Sequence, residues 1–123
     1  MKQHSPRFLT HVTQIKKQIK EITPQALKAL IDSHQPFHLI DVRDADELSS
    51  GSIPTSIHLS KGAIERDIEK TIPDPQAVII VYCSGGFRCA LVANSLQDMG
   101  YTHVSSLDTG LQGWIDEGYP IGK

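Results

Sequence analysis

Cysteine is scarce in this chain: Cys83 and Cys89 are the only two among 123 residues. That number is too small for the dense bridging of small secreted domains, so reduced thiols and reactive thiol chemistry are the informative reading. Long apolar runs are missing, and nothing approaches the ~20 residues that a bilayer span needs. The first residues also lack a basic start followed by an apolar stretch and a small-residue cleavage site, so a cytoplasmic chain without a membrane partner is expected. Charge of one sign is never concentrated. Twelve basic and fourteen acidic residues give a net charge of -2 and form no block, which argues against a nucleic-acid arm. The six histidines are scattered without ligand spacing, so no metal is expected.

What remains is enough apolar residue, 39%, for one core in one domain. Phe8, Val12, Ile15 and Ile19 recur at helical spacing and predict an amphipathic helix over about residues 7 to 19. Thr23 followed by Pro24 supplies an N-cap and a first-turn proline for a second helix ending near Ser33. Phe37 to Ile40 reads as a short buried strand leading into Asp41-Val42-Arg43. A helical turn and loop follow between Asp44 and Pro54, then a short strand at Ile57-His58-Leu59. Ile64 and Ile68, four apart among charges, predict a solvent-facing helix over residues 62 to 70.

The clearest strand is Ala77 to Tyr82, a continuous run of the kind buried on both faces of a parallel sheet. Ala90, Val92, Ala93, Leu96 and Met99 mark the next helix, closed by Gly100 in the position of a left-handed cap. His103 to Leu107 forms a final strand and Gly110 to Glu117 a last helix. Alternation of strands and helices predicts an α/β fold, a mostly parallel sheet covered on both faces.

Cys83 follows the buried strand directly and opens the loop Cys83-Ser84-Gly85-Gly86-Phe87-Arg88, which leads into a helix. In α/β sheets, ligands bind at the carboxyl ends of strands. Successive N–H groups in such a loop can converge as an anion nest, and a helix N-terminus adds about half a positive charge. An unperturbed cysteine has a pKa of ~8.5; this field together with the Arg88 guanidinium predicts a thiolate at neutral pH. Gly85 and Gly86 permit positive φ and close backbone approach to a small bound species. Phe87 covers either apolar surface or the pocket rim and Ser84 offers a hydroxyl, the alternative for both being exposed loop.

Three segments resemble the rhodanese homology family: Leu39 to Arg43 with Glu47 and Gly51-Ser52-Ile53-Pro54; Val81 to Arg88; and Gly110-Leu111-Gln112-Gly113-Trp114 with Gly118-Tyr119-Pro120. The resemblance spans about residues 20 to 121. It implies a five-stranded parallel sheet between helices and a persulfide on Cys83. It also implies sulfur transfer from a donor anion such as thiosulfate or polysulfide to a thiol, cyanide or protein acceptor, without a cofactor. Residues 1–20 then form an N-terminal helical extension and residues 21–123 the rhodanese-like domain. Cys83 and Arg88 are the catalytic candidates; Ser84, Gly85, Gly86, Phe87, Cys89, Asp41 and Arg43 are the substrate-binding candidates.

Two positions depart from the family pattern. Ser52 stands where a histidine is usual, and Cys89 stands where serine or threonine commonly follows the loop arginine. Cys89 is either a small buried substitute for serine or a second thiol able to bridge to Cys83 or take over its sulfur. Two other functions compete with sulfur transfer: a cysteine-dependent phosphatase, and a non-catalytic or redox-sensing interaction module. The first places five residues between cysteine and arginine, whereas Cys83 and Arg88 have four between them.

Overall fold

The computed structural model describes residues 3–122. Met1 and Lys2 of the expected N-terminal extension, and Lys123 of the expected domain, lie outside the described residues. The first helix, α1, covers Pro6–Lys16 behind an extended Ser5. It stops before Ile19 because the following residues bond elsewhere: β1, Lys20–Ile22, pairs in parallel with β5, His103–Leu107. Long-range ladder bonds there override the helical spacing of Ile19, and this strand was not foreseen from the sequence.

Helix α2, Pro24–Asp32, begins as expected, with the Thr23 hydroxyl accepting the Ala26 N–H at 3.1 Å. Strand β2, His38–Asp41, leads into a 3-10 helix at Ala45–Ser50, then β3, Ile57–His58, and α3, Ile64–Thr71. Ile64 and Ile68 are both fully buried, so their four-residue spacing is the core face of an otherwise exposed helix. Strand β4, Val78–Tyr82, is followed by α4, Arg88–Asp98, and the chain closes with β5 and α5, Gly110–Asp116.

The five strands pair in parallel throughout, in the order β1-β5-β4-β2-β3, which puts β4 in the middle, and one isolated antiparallel bridge joins Ser52 to Gly122 outside them. Alternation along β4 builds both halves of the core. Ile79 and Val81 face one apolar layer with Ile64, Ile68, Val92 and Leu96, while Ile80 and Tyr82 face the other with Leu27, Leu111 and Trp114. Helices α3 and α4 therefore cover one face, α2 and α5 the other, and α1 lies against α4.

One ion pair sits inside this frame. Asp41 and Arg43 are each 1% exposed, and Arg43 Nη2 donates to Asp41 Oδ2 at 2.8 Å. The rest of the guanidinium fans across the turn that follows β2: Nη2 also donates to the Gly51 carbonyl at 2.7 Å, and Nη1 to the Glu47 carbonyl and the Ser50 hydroxyl at 3.3 Å. Every N–H direction of the fork is engaged, so Arg43 clamps the 3-10 segment to the sheet. Removing one member of a buried pair leaves an uncompensated charge, which typically costs about 3–5 kcal/mol. Arg43→Met is expected to lower the unfolding free energy by that order, read in urea as a lower midpoint with little change in the slope of the transition.

Candidate active site

The site begins where β4 ends. Cys83 is the first residue beyond Tyr82, and the chain must turn back within four residues to start α4 at Arg88. Gly86 makes that turn possible: its φ is +92°, and a Cβ there would stand 2.0 Å from the Asp108 carbonyl oxygen. Gly85 carries no such constraint, since an added Cβ would meet only the Phe87 ring at 3.6 Å. Of the two loop glycines, one is obligatory.

Turning the loop this way aims backbone N–H groups at the sulfur. Gly86 N–H donates to Cys83 Sγ at 3.2 Å and Cys89 N–H at 3.4 Å. The carbonyls point outward to α5: Leu111 N–H donates to the Cys83 carbonyl at 2.8 Å and Gln112 N–H to the Ser84 carbonyl at 3.0 Å. Gly110, with φ +64°, allows this approach, because a Cβ there would lie 2.5 Å from the Ser84 carbonyl oxygen. The Gly110-to-Trp114 segment thus acts as the loop's rear support.

Cys89 contributes more than its amide. Its Sγ lies 3.4 Å from Cys83 Sγ, receives the Ser106 hydroxyl at 3.0 Å and sits 3.7 Å from the Leu107 carbonyl oxygen. The Cys83 thiol is lowered to about 6, chiefly by the side-chain hydrogen bond with Cys89. Burial opposes the shift, while the amides of Cys89 and Gly86 and the charge of Arg88 assist it. Cys89 moves the other way, pushed up by burial and by the neighbouring sulfur. The pair therefore rests as a Cys83 thiolate and a Cys89 thiol.

Arg88 is placed differently from the sequence expectation. Its fork grips Glu47 bidentately, at 2.7 and 3.0 Å, so its charge is a minor influence on Cys83. The Arg88 side chain holds the Glu47 carboxyl down at about 2, and Glu47 in turn raises the guanidinium. Glu47 is itself set by a capping box with Asp44, whose backbone N–H donates to Oε1 at 3.1 Å. Asp44 and Glu47 stand at the spacing of such a box, which marks the start of the 3-10 turn in the sequence but not its meeting with Arg88.

A cavity of about 910 Å³ opens over Cys83. Ser84, Gly85, Phe87, Arg88 and Arg43 also line it, whereas Asp41, Gly86 and Cys89 lie behind its wall. Asp41 reaches it only through Arg43, which it orients. Leu111, Gln112 and Ile115 of α5 form one side. The other comes from the N-terminal segment, which the sequence reading did not bring to the site: His4 and Phe8 line the cavity, and their rings lie 4.4 and 6.3 Å from that of Phe87. Lys16 Nζ stands 5.4 Å above the same ring.

If the Cys89 S–H holds the thiolate, its removal must raise the Cys83 pKa. The iodoacetamide rate of the wild type is expected to rise with an inflection near pH 6. Cys89→Ala is expected to move that inflection toward the ~8.5 of an unperturbed thiol, and an unmoved inflection would show that the amides alone set it.

The Rhodanese-like domain family matches residues 23–117. The chain is 34% identical over 103 residues to the putative sulfurtransferase YtwF of Bacillus subtilis, covering 84% of this chain and 97% of that one. It is also 34% identical over 97 residues to the thiosulfate sulfurtransferase GlpE of Pseudomonas savastanoi, covering 79% and 88%. A Rhodopseudomonas palustris protein of unknown function, described as a possible tyrosine phosphatase, superposes with a TM-score of 0.84 at 30% identity, over 99% of both chains. That likeness takes in α1, which the family match leaves outside. On its loop, its sheet order and these matches, the chain belongs to the rhodanese-like domain family.

Proposed function

We propose that this protein is a sulfurtransferase that carries sulfane sulfur as a Cys83 persulfide from a donor anion such as thiosulfate or polysulfide to a thiol or cyanide acceptor. The observation that carries this reading is a sulfur that lines an open cavity and is held by two backbone N–H groups and a neighbouring thiol, surroundings that lower its pKa to about 6. In the first step the Cys83 thiolate attacks the outer sulfur of thiosulfate. The donor's S–S bond breaks and sulfite leaves with the electron pair. In the second step the acceptor attacks the outer sulfur of the persulfide, and Cys83 departs as thiolate. A low thiol pKa favours that departure, because weakly basic thiolates are better leaving groups. The N–H donors stabilise the anion at both stages without reorganising.

The relatives named as sulfurtransferases support the same chemistry for this chain. Against phosphoryl transfer stand the four residues between Cys83 and Arg88, where cysteine-dependent phosphatases have five, and the engagement of Arg88, whose two terminal nitrogens both donate to Glu47. With thiosulfate and cyanide, the wild type is expected to form thiocyanate and Cys83→Ser to form none. Arg88→Ala, which uncovers the Glu47 carboxylate at the cavity wall, is expected to raise KM for the anionic donor more than it lowers kcat. Thiocyanate formation by Cys83→Ser, or hydrolysis of p-nitrophenyl phosphate by the wild type at a comparable rate, would overturn the proposal.

A further inference from the structure

The transfer reaction uses the second thiol as a hydrogen-bond donor and leaves its nucleophilic sulfur idle. Cys89 is fully buried and does not line the cavity, yet its sulfur stands 3.4 Å from that of Cys83. Cys83 Sγ thus meets the cavity on one side and Cys89 on the core side. A sulfur delivered from the cavity becomes the outer atom of the persulfide, which leaves the inner atom in contact with Cys89. Displacement at a sulfur requires the nucleophile and the leaving atom on opposite sides, and this layout supplies both.

Resting on the sulfurtransferase reading, we propose that Cys89 resolves a Cys83 persulfide that finds no acceptor, releasing hydrosulfide and closing a Cys83–Cys89 disulfide. The Cys89 sulfur forms a bond to Cys83 Sγ, and the bond from Cys83 Sγ to the outer sulfur breaks. The electron pair leaves with the outer sulfur, and the thiol proton of Cys89 ends, through solvent, on the departing hydrosulfide. The sulfane sulfur is the oxidant: it takes up two electrons, and the two cysteine sulfurs together give them up. No other oxidant enters. The sulfurs have to close from 3.4 Å to about 2 Å.

At rest the reaction is restrained by the Cys89 proton, which the Cys83 thiolate holds at 3.4 Å, while the Ser106 hydroxyl donates to the Cys89 sulfur at 3.0 Å and steadies it. Transfer to an acceptor in the cavity therefore competes ahead of resolution. When acceptors are absent, the bridge leaves Cys83 unable to load again until an external thiol reduces it, and stored sulfur is discharged as hydrosulfide rather than retained. The pair gives the site a brake set by acceptor supply.

The test loads the full chain with thiosulfate, removes the donor and follows intact mass and free sulfide without acceptor. The wild type is expected first to gain one sulfur atom, then to lose it with the release of one hydrosulfide per chain. Its final mass should lie two hydrogens below the reduced protein, and dithiothreitol should restore it. Cys89→Ser, loaded for as long as it needs to show one added sulfur, is expected to hold that sulfur about tenfold longer or more, because no second sulfur stands beside Cys83. Equal sulfide release by both proteins, or a persulfide that persists in both, overturns the brake and leaves sulfur transfer standing. Failure of both proteins to gain sulfur overturns sulfur transfer and the brake together.

Discussion

Everything at the site depends on which way the peptide groups of one loop are turned. For the N–H groups of Gly86 and Cys89 to face a single sulfur, the carbonyls of Cys83 and Ser84 must face away from it, where they need partners. The first turn of α5 supplies them through the amides of Leu111 and Gln112. An orphaned helix N-terminus and two orphaned loop carbonyls thereby satisfy each other. The two positive-φ glycines at the contact, Gly86 and Gly110, are the residues without which the backbones cannot approach.

With the loop fixed, the charge at the sulfur is decided at short range. The helix end and Arg88 look, in the sequence, like the natural stabilisers of a thiolate, yet the larger influence is the neighbouring thiol. A guanidinium shared bidentately with a carboxylate has little field left to offer, whereas an S–H at 3.4 Å acts directly on the anion. The two cysteines divide one environment unevenly: burial opposes ionisation of both, but at Cys83 it is overcome by the Cys89 side chain and the N–H donors, whereas at Cys89 it is reinforced by the neighbouring sulfur and only partly offset by the Ser106 hydroxyl.

Two acid–base pairs hold the rim in different ways. Asp41 and Arg43 are sealed from water and pin the 3-10 turn to the sheet, while Glu47 and Arg88 sit half-buried at the mouth and join that turn to α4. The cavity is thus framed by charges already paired, with an apolar side added by α5 and by the N-terminal helix leaning on Phe87.

The parallel α/β fold, the central strand ending at Cys83, the turn at Gly86 and the helix after it were all legible along the chain, because each follows from neighbouring residues: β-branched runs, glycine's freedom and helical periodicity act over a few positions. The partners that tune the site were not. Glu47 and Arg88 are 41 positions apart, Ser106 and Cys89 are 17 apart, and Phe8 meets Phe87 only because α1 lies against α4. Even β1 escaped notice, since three half-polar residues become a strand only when β5 offers a ladder. Local preference fixes which way the backbone runs at Cys83; which side chains surround its sulfur is decided by packing between distant segments, and no spacing in the sequence encodes that distance.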